Sequence, residues 1–557
     1  MVTAVPRPAG WGLLALVVVA FAVRLGAVAA TGGLSAPPTG DAAEFDAYAW
    51  NLVQGRGYSG PSPDVVDGSG RAVHHPTAYR PPVSPLVYAA AYAVAGHSYP
   101  AAHAANAAVG AVTVLLVFGI ADRVYGRAAG WLAAGAFAVY PPAAHHNLQL
   151  LSEAHAAFLV CLFVWLCLRV PGPRGGWWAA AAGVAFGLLL LCKPGYLLLV
   201  PLLPAWAWTV GRWDRRAWAR AALIPVVGGL AVVPWAARNY REVGAAIPFG
   251  TTSGSLLLQS NNRLVVLDPR YHGMGVWDTH LPEYAASIRA PNDEVARDAV
   301  ARRHAVAWLR ENPGWWFYLA WGKAQRMWWP VRYGAGSAAA EAALNALYAA
   351  VLAGFAVGVV PATARFVRDR DPAVMIPLLV VATVGMVVLF YGLQRYRYPV
   401  EPLMGVVAAG TAVRAAGWAR AGFPRPAVTA RGVLIAALAA AAAAGLAWAC
   451  RADAARARAY RAAVARDRVR AIEEAVVRYR DRTGRLPARL EDLIPADLPN
   501  AEALHCPTHS LDYADFRWLG STDPDDAAEV SSYALEPAAG PGPGFRVVQT
   551  RGAPPAP

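Results

Sequence analysis

The chain has 557 residues, of which 57% are hydrophobic and 15% charged, more apolar surface than one soluble core can bury and too regularly spaced for several. Its net charge of +14 would suit a nucleic-acid binder. The arginines, however, sit on short connections between apolar blocks, where the positive-inside rule accounts for them.

Nearly charge-free blocks recur at about 11–31, 102–121, 128–143, 148–168, 177–192, 194–210, 221–237, 342–362, 373–391, 399–413 and 432–450. Each is near the length a helix needs to cross ~30 Å of hydrocarbon. The pattern predicts an α-helical polytopic membrane protein with about 11 transmembrane helices. The first block is long and lacks a convincing small-residue cleavage site, so it reads as a retained span and not a cleavable signal. With Arg7 inside, the inner connections at 122–127, 169–176, 211–220, 363–372 and 414–431 hold fifteen arginines. The short outer ones hold only Lys193, Arg395 and Arg397. That bias sets the orientation and requires the apolar piece at 83–96 to be an interfacial or re-entrant helix.

Three polar regions interrupt the spans. The first, 32 to about 101, opens with "TGDAAEFDAYAWNLVQGRGYS" at 39–59. It predicts a helix on which Phe45, Ala49 and Leu52 mark an apolar face and Asp41, Glu44 and Tyr48 share the adjacent one. Gly55 and Gly57 end the helix, and a Pro/Gly/Ser stretch to about 70 reads as a mobile loop. The second region, 238 to about 336, begins with a predicted turn and short strand. It continues into a helix near 293–311 capped by Asn292 or Asp293, and then into a Trp-rich segment suited to the headgroup zone. The tail after about 450 is a separate unit: a helix from Arg456 to Arg482, then a small mixed α+β module to about 550. Parity places it outside, although the arginines from Arg451 to Arg461 argue the other way.

Cys161, Cys167 and Cys192 read as packing residues; Cys450 and Cys506 could pair in an oxidising compartment, but nothing in the sequence forces it. The adjacent pairs His74–His75 and His145–His146 read as loop histidines without zinc-ligand spacing, so no metal site is assigned.

Under this topology Asp41, Glu44, Arg80, Glu153, Lys193, Arg238, Arg395 and Arg397 all fall at or near the outer boundary. Arg24, two-thirds along the first span, leans the same way; an arginine there costs on the order of 3 kcal/mol on insertion scales, which points to a paired or functional role. Cations can hold a lipid-borne phosphate and stabilise it as a leaving group, while a carboxylate takes a proton from a nucleophile. Phosphoryl-linked sugar transfer fits both needs, although periodicity alone does not say which sugar, or even that it is a sugar.

At these residues the sequence resembles a known family. "GDAAEFDAYAWNLVQGRGYS" followed by "YRPPVSPLVYAAAYAVAG" is similar to the first outer loop of bacterial glycosyltransferase family 39, relatives of protein O-mannosyltransferases and the lipid A aminoarabinose transferase. Further likenesses are "LLSEAHAAFLV" at 150–160, "LLLLCKPGYLLL" at 188–199, "PWAARNYREVGAAIPFGTTSG" at 234–254, "NDEVARDAVARRHAVAWLRENPGWWF" at 292–317 and "QRYRYPVEPL" at 394–403. The resemblance covers roughly 10–415 and implies the type-C glycosyltransferase fold in the cell's inner membrane. It also implies a polyprenyl-phosphate sugar donor, inverting hexosyl or pentosyl transfer on the outer side, and a first-loop aspartate as general base, which maps onto Asp41. Some relatives place the second acid directly beside the first, so Glu44, a turn later, is a second catalytic candidate or a capping group. Arg24, Tyr48, Arg80, Glu153, Lys193, Arg238, Arg395 and Arg397 are the substrate-binding candidates. Some distant type-C relatives use a divalent ion, which leaves a divalent cation open. The acceptor stays open among protein, glycolipid and cell-wall polymer.

The tail, "RVRAIEEAVVRYRDRTGRLPARLEDLIP" with "HCPTHSLDY" and "SSYALEP", resembles a type II secretion pseudopilin over about 430–547. The expected organisation is a membrane glycosyltransferase domain over 1–430, an added span at 431–450 and a pseudopilin-like domain over 451–557. Two other readings stay in view: a lipid or sugar transporter or flippase, which would carry mid-membrane charges and an inverted repeat that the sequence lacks, and an envelope scaffold built on the tail.

Overall fold

The structure is a computed structural model; it describes residues 10–66, 72–268, 271–277, 281–289, 293–335, 337–421, scattered positions between 452 and 496, and 532–537 and 545–550. The expected span at 432–450, Cys450, Cys506 and most of the tail lie outside the described residues.

In chain order the elements are α1 (Gly10–Ala30), α2 (Asp41–Val53), β1 (Ser59–Val66), β2 (Ala72–Pro76), α3 (Val83–Ala95), α4 (Tyr99–Tyr125), α5 (Arg127–Ala138), α6 (Pro141–Asn147), α7 (Glu153–Cys167) and α8 (Gly175–Leu190). A 3-10 segment, Pro194–Leu202, leads into α9 (Leu203–Gly211), followed by α10 (Arg215–Glu242), α11 (Ser253–Ser260), α12 (Arg263–Leu267), α13 (Pro282–Arg289) and α14 (Glu294–Glu311). Then come α15 (Trp316–Met327), α16 (Ala338–Asp369), α17 (Met375–Leu389), α18 (Glu401–Ala421), β3 (Ser532–Pro537) and β4 (Phe545–Thr550). Six of the described helical segments are long and apolar enough to cross a membrane, and α3, α7 and α8 are shorter apolar helices. The helical multi-pass architecture expected from the sequence is present.

The chain divides into two compact units. One is formed by Met1–Leu257, Pro282–His304 and Lys323–Pro426; the other by Leu258–Leu281, Ala305–Gly322 and Ala427–Pro557. In the first, α4 packs against α1, α5 and α7, α8 against α10, and α16 against α18. Close approach of α8 and α10 rests on small residues, because between helices in lipid it is packing that drives association. A Cβ on Gly183 would lie 2.7 Å from the Val227 Cβ, and one on Gly187 would lie 2.6 Å from the Gly228 carbonyl oxygen. Within the second unit, the His272 ring stacks on Tyr318 at 4.1 Å, and β3 pairs antiparallel with β4 from Ser532↔Thr550 to Pro537↔Phe545.

Several local expectations change. The block at 128–143 is not one continuous helix: α5 stops at Ala138 and α6 restarts at Pro141, since Pro141 and Pro142 carry no N–H to continue the ladder but suit a first helical turn. The stretch after Gly57, read as a mobile loop, forms the β1–β2 hairpin with Ser59 opposite Pro76, although 67–71 lie outside the described residues. Of the turn and short strand expected after 238, the turn follows the end of α10 at Glu242, with Gly244 at φ 80°, but the strand is replaced by the helix α11. The reason is tertiary: Asp298 of α14 accepts from the Gly254 and Ser255 backbone N–H groups and so caps α11 from 44 positions away. The N-cap expected at Asp293 does form, its carboxylate accepting from Val295 and Ala296 N–H.

Candidate functional site

Six charged side chains of alternating sign run in a line through the first unit. Glu44 accepts from Arg80 Nε at 2.6 Å, and Arg80 Nη2 donates to Asp41 Oδ1 at 2.8 Å. The other Asp41 oxygen accepts from Arg395 Nη2 at 2.9 Å. Arg395 Nε lies 4.0 Å from Glu153 Oε1, which in turn holds Lys193 Nζ at 2.7 Å. Three acids and three bases balance, so the network is neutral as it stands.

Local structure places each group. Asp41 and Glu44 are in the first turn of α2, where the helix dipole favours carboxylates, and their i, i+3 spacing turns both toward one guanidinium. Arg80 leaves the turn after β2, Glu153 opens α7, Lys193 follows the end of α8 just before Pro194, and Arg395 sits in the 3-10 turn Gln394–Tyr396. The Tyr396 ring lies 5.0 Å from Lys193 Nζ and 5.3 Å from the Arg395 guanidinium carbon, a cation–π shelf under both.

Asp41, Arg80, Glu153, Lys193 and Arg395 line one cavity of about 610 Å³. Its remaining wall is largely apolar, built from Leu197, Leu198, Met386, Leu389 and Phe390 on one side and Ile247, Pro248 and Phe249 on another. Gly195 makes room for this wall, since a Cβ there would meet the Met386 sulfur at 2.2 Å.

Electrostatics divide the two first-loop acids. Burial alone would raise the Asp41 carboxyl, but Arg80 and Arg395 beside it hold it below the usual carboxylate range. Burial raises Glu44, Arg80 offsets this only in part, and the Asp41 charge adds a smaller rise. Two carboxylates pushed apart in this way are suited to different roles. Burial lowers and the neighbouring carboxylates raise Arg80, with the raising effect winning, so it stays a cation.

The other candidates lie elsewhere. Arg24 is fully buried and donates to the Phe137 and Ala138 carbonyl oxygens at 3.1 and 3.0 Å and to Ala20 O at 3.0 Å. It thereby adds donors to the carbonyls at the end of α5, where Phe137 O also accepts from Tyr140 N–H at 3.4 Å, and it is not on the cavity wall. Arg397, also fully buried, pairs with Glu401 at 2.5 Å and with the Met327 and Trp329 carbonyls. Arg238 donates to the Thr77 and Tyr58 carbonyl oxygens and lines a different cavity. Tyr48 is buried against Tyr58, with ring centroids 5.1 Å apart. Glu44 reaches the cavity only through Arg80.

Sequence reasoning missed Tyr396, Ser152, whose hydroxyl lies 3.4 Å from Lys193 Nζ, and the carboxylates Glu294 and Asp298. Tyr396 could have been found from its place between two arginines; the others carry no local signal. His145 and His146 belong to α6, with rings against Tyr333 and Tyr398 at 5.4 and 4.6 Å, and His74 and His75 belong to β2. Among the described residues no three His, Cys, Asp or Glu side chains are grouped to hold a metal ion.

Residues 79–237 match the family described as dolichyl-phosphate-mannose-protein mannosyltransferase, a stretch that contains Arg80, Glu153 and Lys193. The match bears out the resemblance to membrane glycosyltransferases of that type. Among solved structures, the chain is similar to the archaeal oligosaccharyltransferase AglB from Archaeoglobus fulgidus in complex with an inhibitory peptide and a dolichol-phosphate, at 14% identity and a TM-score of 0.42. That likeness covers 80% of this chain and 56% of AglB, so the chain spans little more than half of that protein's length. It is also similar to ArnT from Cupriavidus metallidurans bound to undecaprenyl phosphate, at 16% identity and a TM-score of 0.36, over 74% of this chain and 80% of ArnT. No curated protein matches the chain.

Proposed function

We propose that this protein transfers a sugar from a polyprenyl-phosphate-linked donor to an acceptor at the outer face of the inner membrane, with inversion at the anomeric carbon. The observation that carries the reading is one cavity that joins an ionised Asp41 and the cations Arg80, Lys193 and Arg395 to an apolar wall. A polyprenyl phosphate has the same division, an anionic head and a hydrocarbon tail. In this reading Lys193 and Arg395 take the phosphate, and the wall of α17 and the 3-10 segment before α9 takes the first isoprene units. Asp41 accepts the proton of the acceptor hydroxyl or amine as it attacks the anomeric carbon; the bond to the lipid phosphate breaks and its electrons leave on the phosphate, beside those cations. The family match over 79–237 supports a lipid-phosphate donor. The fused tail, resembling a pseudopilin, is proposed as an accessory extracytoplasmic module.

The test is transfer by the purified full chain in lipid nanodiscs, supplied with polyprenyl-phosphate sugars and with envelope glycolipid, peptide or cell-wall acceptors. Transfer by the native chain, lost in Asp41→Asn with folding intact, is the expected result. A native chain that moves no sugar, or an Asp41→Asn variant of wild-type rate, overturns the reading.

A further inference from the structure

The turn that presents Arg80 is held from a direction the sequence does not announce. Thr77, Ala78, Tyr79 and Arg80 connect β2 to the cavity, and their backbone is gripped at nearly every group. Thr77 N–H donates to Tyr58 O at 3.2 Å, and Thr77 O accepts from Arg238 Nη1 at 2.7 Å. Ala78 O accepts from Thr251 N–H at 3.2 Å, and Arg80 O accepts from the Tyr58 hydroxyl at 2.9 Å. At the centre is Glu294, the first residue of α14, whose two carboxylate oxygens are both committed to this turn. Oε2 accepts from the Thr77 hydroxyl at 2.6 Å and Oε1 accepts from Ala78 N–H at 2.6 Å. The Thr77 hydroxyl in turn accepts from Tyr79 N–H at 3.0 Å, closing the turn on itself.

Glu294 is 7% exposed and Thr77 and Ala78 are fully buried. A carboxylate taken out of water costs several kcal/mol unless its hydrogen bonds return that cost. Here they return it by short, charge-assisted bonds and by placement at a helix N-terminus, and both bonds serve to fix the backbone one residue short of Tyr79 and two short of Arg80. From the opposite side Gly250 presses on the same turn: a Cβ there would lie 3.1 Å from Tyr79 O and 3.2 Å from Ala78 O.

We propose that Glu294 is the positioning residue for Arg80, locking the guanidinium in the fork it makes with Asp41 and Glu44. This rests on the reading of Asp41 as the base. The clamp also explains why two polar regions more than two hundred positions apart must fold together before the site exists. With the turn released, Arg80 no longer holds its distance to Asp41, and a cation that wanders lowers the carboxyl less, so a larger share of Asp41 is protonated in mild acid.

The experiment compares Glu294→Gln, Thr77→Val, Thr77→Ser and Arg80→Met in the full chain in nanodiscs, reading transfer rate against pH and amide hydrogen exchange at Ala78 and Tyr79. Glutamine keeps one acceptor oxygen and loses the other, so Glu294→Gln should lower kcat/KM about tenfold, the equivalent of one hydrogen bond to a charged group. It should also move the acid limb of the profile to higher pH, the same direction as Arg80→Met. Combining Glu294→Gln with Arg80→Met should add nothing to Arg80→Met alone, because the clamp acts through Arg80. Thr77→Ser should retain the native profile and Thr77→Val should not. Exchange at Ala78 should rise at least tenfold in Glu294→Gln.

An unchanged acid limb, or losses that add to those of Arg80→Met, would make Glu294 merely structural and overturn the proposal while Asp41 keeps its role. If Glu294→Gln does not fold, Gly250→Ala and Thr77→Val test the same clamp from other sides, with the same shift expected and its absence decisive. Should the native chain transfer no sugar, the functional reading fails by itself. The clamp is then judged on amide exchange, where native-like protection in Glu294→Gln overturns it.

Discussion

Arg395 Nη2 and Asp41 Oδ2 meet at 2.9 Å although 354 positions separate them in the chain. Arg395 also approaches Glu153, so one guanidinium spans two carboxylates brought in by α2 and α7. A planar fork can do this and a point charge cannot. Arg395→Lys is therefore expected to behave more like Arg395→Ala than like the native chain. Both should raise the donor KM by roughly 10- to 100-fold, the range of one or two charge-assisted hydrogen bonds. Steady-state kinetics with a polyprenyl-phosphate sugar checks this; a lysine variant with native donor KM would remove Arg395 from the phosphate site.

Asp41 sets the second expectation. A positioned base contributes typically ~10²- to 10⁴-fold in rate, and Asp41→Asn should lose that much in kcat while its donor KM changes little. Single-turnover transfer in folded protein measures it.

The pH behaviour follows from the shifts of the two acids. The Asp41 carboxyl is lowered in the folded protein, so its contribution to stability is present above its unfolded value of 3.8 and is lost as pH falls through the lower folded value. Glu44 is raised, so it works in reverse: its favourable contribution is complete below 4.5 and disappears as pH rises through the folded value. Glu44→Gln should accordingly cost less than Asp41→Asn at pH 7, because the folded state opposes the Glu44 charge and favours that of Asp41. Thermal unfolding of the two variants at pH 7 separates them, and a larger loss in Glu44→Gln contradicts the assignment.

Arg24 is expected to act on the fold. Arg24→Met keeps much of the volume but takes its donor from the Ala138 carbonyl, while Phe137 O keeps the Tyr140 N–H at 3.4 Å, a loss of about 1–3 kcal/mol for the buried group left unsatisfied. Thermal denaturation should show it. A substrate contact would instead appear as a raised donor KM in the folded fraction.

Helix packing supplies a further check. Gly187→Leu must displace the Gly228 backbone on α10, and overpacking of this kind costs typically 1–3 kcal/mol or more. Gly229→Ala, next to it in sequence but with nothing within 4 Å of a new Cβ, should be tolerated or slightly stabilising. Comparing the melting temperatures of the two variants tests whether proximity, and not glycine as such, is what matters at this interface.

Much of this protein is legible in one dimension because its solvent is a bilayer. A charge-free block of twenty residues has few other fates, and so the helical, multi-pass architecture follows from composition and period. The same logic makes any charge near a span conspicuous, which is how Asp41, Glu44, Arg80, Glu153, Lys193 and Arg395 stand out. Arg24 and Arg397 stand out just as strongly and yet face backbone carbonyls, since the chain records only that a charge must be satisfied and not by what. Arg395 and Arg397 are two residues apart, but successive 3-10 turns send one to the cavity and bury the other beside Glu401. Glu294 and Asp298 lay hidden for the opposite reason: in a polar segment already crowded with charge, a buried carboxylate looks like any solvated one. Sequence by itself determined that this chain lives in a membrane, that its apolar blocks are helical, and that the charges beside those blocks need partners. Only the tertiary structure decided which partner each one has, because ion pairs and caps form across hundreds of residues, through distances that no local periodicity encodes.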